Sequence, residues 1–195
     1  PGIRRCSADR LRQLVKPSFG FLAFPIGNAL NSQGLLLIIG SVMTPAATVV
    51  YATFRTVANA LLQVATVVNF STLPEISNAW GRERLDLCLT ILVRGVRYSV
   101  VITAALGILT FTSGERLIFW WTHGKVLFDP IFFGVMLASG FLNAFWVITN
   151  TSVIAINRHL GVAFVYIISS ALAVICAYMS VGIFGLIGVG LSLIV

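Results

Sequence analysis

The chain has 195 residues, of which 58% are hydrophobic and only 10% charged, with a mean hydropathy of +0.98 and a formal net charge of +7. A soluble domain carries about a quarter charged residues, so this balance excludes an ordinary water-facing surface. Uncharged apolar stretches of about 18 residues or more read as membrane-spanning helices, and the alternating segments of about ten residues that mark a transmembrane barrel are missing. The sequence predicts an all-α, polytopic membrane helix bundle.

The opening PGIRRCSADRLRQLVK carries Arg4, Arg5, Arg10, Arg12 and Lys16. It has neither the apolar core nor the small-residue cleavage site of a signal peptide, and residues 1–18 read as a basic linker. Residues 19–195 read as a unit of six spans, near 20–43, 47–73, 95–113, 130–156, 161–180 and 183–195. Pro17, Pro45, Pro74 and Pro130 fall at span ends, where a missing N–H does least harm, and Pro25 lies in the first turns of span one. The last run, GIFGLIGVGLSLIV, has only 14 residues. At about 1.5 Å per residue it covers roughly 21 Å of a ~30 Å hydrocarbon core. With Pro in place of Met at position 1, the sequence is expected to be a piece of a longer polypeptide.

The connections differ in charge. The N-terminal five, together with Arg82, Arg84, Arg94, Arg97 and Arg158, place ten cations on one side; Arg116 and Lys125 place two on the other. This asymmetry predicts a cytoplasmic N-terminus and accounts for the net charge without nucleic acid. The connection PEISNAWGRERLDLCLTILVRGVR mixes Ile76, Trp80, Leu85, Leu89 and Leu92 with basic residues. It suits either a helix lying on an anionic membrane surface or a solvated linker. Trp120 and Trp121 on the other side suit an interfacial anchor. The connection near 114–129 is too short for a folded active site.

Motifs for chemistry are few. Cys6, Cys88 and Cys176 show no metal spacing and read as free thiols. No phosphate loop, nucleophile elbow or cofactor motif is present, and no metal or cofactor is expected. His123 with Glu115 and Asp129 makes only a weak metal candidate. The sequons at Asn69 and Asn150 lie within or at the ends of spans and are discounted.

The spans themselves carry polar stripes. In YATFRTVANALLQVATVVNF (residues 51–70), Arg55 shares a sector of about 120° with Thr48, Asn59, Gln63, Thr66 and Asn69 at ~100° per residue. The fourth span repeats the pattern with Ser139, Asn143, Trp146 and Asn150, and the first span adds Asn28 and Asn31 on one face. Ser169, Ala173 and Ala177 recur at intervals of four in the fifth, spacing that lets helices approach closely. Asparagines in membrane helices serve equally as interhelical glue or as cavity lining. A guanidinium demands more: it either snorkels to an interface or faces water, a counterion or an anionic ligand. No Asp, Glu or His falls within the expected spans, so an uncompensated cation there suits an anionic substrate such as a diphosphate. The candidate substrate-binding residues are Arg55, Asn59, Gln63, Asn28, Asn31, Asn143 and Asn150.

Several of these segments resemble the bacterial polysaccharide (O-antigen-type) flippases of the multidrug/oligosaccharidyl-lipid/polysaccharide exporter superfamily. The resemblance rests on L-N-S-Q-G-L at 30–35 with Ile39-Gly40, on Y-A-T-F-R-T at 51–56 and on L-P-E-I-S at 73–77. INRHLGVAFVY and GIFGLIGVG add to it. These motifs are loose, although the resemblance runs from about residue 19 onward. It implies one lobe of a two-lobe, MATE-like transporter, with residues 1–18 as the cytoplasmic linker from an N-terminal lobe. It also implies alternating access in the bacterial inner membrane, and a lipid-linked glycan whose diphosphate meets Arg55. No covalent step, hence no enzyme activity, is implied. A drug or cation exporter of the same superfamily, a membrane-embedded polysaccharide polymerase or ligase, and an assembly subunit remain alternatives.

Overall fold

The computed structural model describes the backbone of residues 8–194 and the side chains of residue 18 and of residues 20–194. Residues 1–7 lie outside the described residues, as do the side chains of Arg10, Arg12 and Lys16, so most of the expected basic linker does too. Among the described residues every regular element is helical: α1 (Ala8–Ala29), a π-helical turn (Leu30–Gly34), α2 (Leu35–Val42), α3 (Pro45–Gly81), α4 (Leu85–Thr122), α5 (Pro130–Ala155) and α6 (Leu160–Ser192). With Gly20–Val42 taken as one span, five helices are long and apolar enough to cross a membrane. This is the architecture of a multi-pass membrane helix bundle, the form in which backbone amides are satisfied within each segment.

Local chemistry sets the helix starts. Thr44 caps α3 by accepting the Ala47 N–H, and Asp129 caps α5 by accepting the N–H groups of Ile131 and Phe132. Pro45 and Pro130 follow these caps, where their fixed φ suits the first helical turn. The tight turns after α3, α4 and α5 use Glu83, His123 and Asn157 in the left-handed region.

Three sequence expectations change. Six spans were expected and five helices are long and apolar enough to span, because the division expected near 181–182 falls at Gly185 and leaves only a short stretch beyond it. α6 runs on to Gly185, whose φ of 57° breaks it, and a short helical stretch to Ser192 follows. That stretch folds back, since a Cβ on Gly188 would lie 2.9 Å from the Ser180 carbonyl and one on Gly190 would lie 2.8 Å from Val135. The segment 74–94 is neither a surface-lying helix nor a loose linker. α3 continues through Pro74 for 37 residues and α4 spans 38, each roughly 55 Å long against a ~30 Å hydrocarbon core. The charged side chains near their junction are exposed and resist helix formation little, and Pro74 removes one hydrogen bond without stopping the helix. Consequently Glu75 lies within α3, and Asp86 and Glu115 lie within α4, all three exposed.

The helices run up and down. Gly95 of α4 faces Thr72, Gly107 faces Leu61, Gly114 packs against Phe133 of α5, and Ser77 Oγ donates to the Ala155 carbonyl of α5. α1 and α2 lie along α6, with Gly20 at His159 and Leu160, Gly27 at Tyr166 and Gly34 at Val174. Arg82, Arg84, Arg94, Arg97 and Arg158 thus collect at one end of the bundle, whereas Arg116 and Lys125 lie toward the other. The main core joins α3 to α5 through Tyr51, Phe54, Leu61, Phe132, Phe133 and Met136. The two helices come into close contact at Gly140, where a Cβ would meet the Ala58 carbonyl oxygen at 2.8 Å.

Candidate functional site

Beside that contact lies a cavity of about 660 Å³, walled by α1 and the π turn, α3, α5 and α6. Arg55 reaches into it from α3. Its Nη1 donates a 2.7 Å hydrogen bond to the Ser32 carbonyl oxygen, and its guanidinium stands 6.0 Å from the centre of the Tyr51 ring. The accepting carbonyl belongs to the π turn. A π turn departs from the α-helical hydrogen-bond ladder, so its carbonyls are open to outside donors, and such turns recur at functional sites. Ser32 is 12 residues from Gly20 and 10 from Val42, the limits of its span. That is about 18 and 15 Å of helix, close to the middle of the hydrocarbon core. The Arg55 guanidinium is thus anchored inside the candidate span Gly20–Val42, ten residues before its C-terminal limit.

The polar stripes divide into two kinds. Asn28, Asn59, Gln63 and Asn143 line the cavity and are exposed within it. Among the described residues none of these four amides is hydrogen-bonded. Other polar groups tie helices together: Asn31 Nδ2 donates to Ser170 Oγ at 3.2 Å, and the Thr151 hydroxyl of α5 donates to Asn69 Oδ1 of α3. Thr66 donates to the Leu62 carbonyl of its own helix, and Thr48 to the carbonyl of the Thr44 cap. Asn31 does both jobs, since it also lines the cavity. Asn150 is the candidate residue that the structure places elsewhere: it is buried, and it does not line the cavity. It follows Trp146 by one helical turn toward the arginine-rich end, where Asn69–Thr151 and Ser77–Ala155 draw α3 and α5 together.

The sequence reading missed part of the wall. Tyr166 lies nearly parallel to Trp146, with ring centres 5.9 Å apart and 9° between planes, and Ser170 sits one turn further along α6. Tyr166, Ser169 and Ser170 share a helical face, and that clustering inside an apolar run was the available signal. Leu193 and Ile194 also line the cavity, because the chain folds back after Gly185, a reversal of direction that hydropathy does not give. Ala173 and Ala177 are buried, as the small-residue spacing suggested, and Ala173 borders the cavity.

The cavity wall offers one guanidinium, amides, hydroxyls and an aromatic pair. Among the described residues no carboxylate or imidazole lines the cavity. At the far end of α4 the connection shrinks to 123–129, and Asp129 is engaged in capping α5. Among the described residues no three His, Cys, Asp or Glu side chains gather as a metal site would require. Compared with protein-family models, curated proteins and solved structures, the chain matches none.

Proposed function

We propose that the chain is one lobe of a transporter that moves an anionic, lipid-linked glycan across the bacterial cytoplasmic membrane, with the N-terminus on the cytoplasmic side. The observation that carries this reading is the Arg55 guanidinium, anchored within a candidate span in a cavity that, among the described residues, has several unpaired amides and no lining carboxylate. A charge at that depth requires water or an anion, and a guanidinium matches phosphate oxygens in geometry as well as charge. The cavity falls within the ~300–1,000 Å³ range of small-molecule sites, room for a diphosphate with its first sugar.

The amides and the Trp146–Tyr166 pair support the glycan half of the reading. A sugar ring offers hydroxyls to Asn and Gln and a C–H face to an indole. An undecaprenyl diphosphate carrier would place its chain in lipid and its diphosphate at Arg55. An N-terminal lobe of the same polypeptide would close the open side, and rocking of the two lobes would alternate access without any covalent step. The resemblance of L-N-S-Q-G-L and Y-A-T-F-R-T to the O-antigen-type flippases supports the same assignment, for both segments contribute to the cavity: Asn31 and Ser32 in one, Arg55 in the other.

The test is reconstitution of the full-length protein in liposomes, with translocation followed for a diphosphate-linked oligosaccharide lipid and, separately, for a cationic dye. Movement of the lipid-linked glycan alone is expected. Movement of the dye alone would transfer the assignment to a drug exporter, and glycan chain growth would transfer it to a polymerase.

A further inference from the structure

A second groove lies at the opposite extreme of α3, remote from the cavity and independent of the transport reading. It has a volume of about 370 Å³ and is lined by Glu75, Asn78, Arg82, Arg84 and Arg94 around a floor that includes Leu87 and Ile91. Three guanidiniums share this space with one lining carboxylate. Among the described residues no carboxylate makes an ion pair with any of the three. We propose that this groove binds the phosphate of an anionic phospholipid headgroup at the arginine-rich surface of the membrane.

Depth is the first argument. Gly95 faces Thr72, so Arg94 sits level with the end of the apolar run 47–73. From Glu75 to Arg82 the groove climbs seven residues, about 10 Å of helix. The headgroup layer on each side of a bilayer is roughly 5–8 Å thick. The groove therefore spans the layer where lipid phosphates lie, with Arg94 at its inner edge and Arg82 and Arg84 at its outer edge.

Chemistry is the second argument. Guanidinium groups bind phosphate oxygens bidentately, and basic pockets between membrane helices suit anionic headgroups. Arg84 is the N-terminal cap residue of α4, so the positive end of that helix dipole adds to the field. The apolar lining, Leu87 and Ile91, offers contact for the glycerol and upper acyl carbons of the same lipid. A free phosphate would use the arginines and leave these side chains without a partner.

The test offers phosphatidylglycerol, phosphatidylcholine or inorganic phosphate to the full-length protein in neutral detergent and counts bound molecules by native mass spectrometry. Phosphatidylglycerol should be retained at least ~10-fold better than phosphatidylcholine. That preference should vanish in an R82Q/R84Q/R94Q variant and survive in R116Q/K125Q. The milder Arg94→Gln variant should lose it in part, and unchanged thermal melting will show that these exposed positions leave the fold intact. Equal retention of the two lipids, or an undiminished preference in the triple variant, overturns the proposal. Arginine-dependent binding of inorganic phosphate that displaces the lipid overturns the lipid as occupant.

Discussion

Phe54 and Arg55 are neighbours in the chain, yet they belong to two regions built on opposite principles. Tyr51, Phe54, Leu61 and Ala65 lie on the side of α3 that is buried against its neighbours. The Phe54 ring stands 5.4 Å from that of Phe132 and 5.2 Å from that of Phe133, the latter edge-on. One residue round the helix, Arg55, Asn59 and Gln63 face open space. In lipid the hydrophobic effect does not drive helices together, since acyl chains are as apolar as a side chain. The aromatic region is therefore held by dense dispersion contacts and close backbone approach. The polar region contributes little cohesion, because most of its amides are not hydrogen-bonded among the described residues. The comparison shows how a membrane bundle keeps a polar space open: the aromatic face fixes the helix spacing, and the polar face is then free to leave donors unpaired for a ligand.

Substitutions on the two sides should fail in different assays, and the largest effect belongs to the polar side. Arg55→Ala should lower glycan-lipid transport at least ~100-fold, since two charge-assisted hydrogen bonds at about 1.5–3 kcal/mol each are removed. Its thermal stability in detergent should stay near that of the wild type, and Arg55→Lys should restore transport in part. Next comes the aromatic side. Phe54→Ala should cost about 3 kcal/mol of stability by leaving a void among Phe128, Phe132 and Phe133, with transport per folded molecule preserved. Gly140→Ala sits where the two regions meet: its Cβ would press on the Ala58 carbonyl, at a cost of about 1–3 kcal/mol in a thermal-melt assay. The smallest effect is expected for Asn143→Ala, a several-fold loss of transport with melting unchanged, because that amide is not bonded within the described protein. A large loss of stability for Asn143→Ala would break the comparison, since it would make that amide glue.

Particular residues show what was legible in the sequence. Arg55, Asn59 and Gln63 were readable because a helix that must satisfy its own backbone in lipid obeys a strict 100° periodicity, so sequence spacing becomes direction. The same rule placed Asn150 with Asn143, but periodicity gives an angle and not a depth. Asn150 lies where α3 and α5 have already drawn together, so it is buried instead of lining the space. Tyr166 and Ser170 escaped because their partners, Trp146 and Asn31, are more than a hundred residues distant or reached only through tertiary packing. The division expected between 161–180 and 183–195 corresponds to the break at Gly185, and the stretch beyond it to Ser192 is too short to count as a further long helix. The extended lengths of α3 and α4 were hidden because charge marks the edge of the bilayer, whereas hydrogen bonding decides where a helix ends.

The most direct measurement of the central claim is the charge preference of the cavity itself. In protein whose native Cys6, Cys88 and Cys176 are replaced by serine, Asn59→Cys and Phe54→Cys variants can be reacted with negatively and positively charged methanethiosulfonates. The thiol at position 59 should react, faster with the anionic reagent, and that preference should disappear when Arg55→Ala is added; the thiol at position 54 should stay inert. An unreactive thiol at position 59, or a preference for the cationic reagent with Arg55 in place, would contradict a hydrated cavity organised around Arg55.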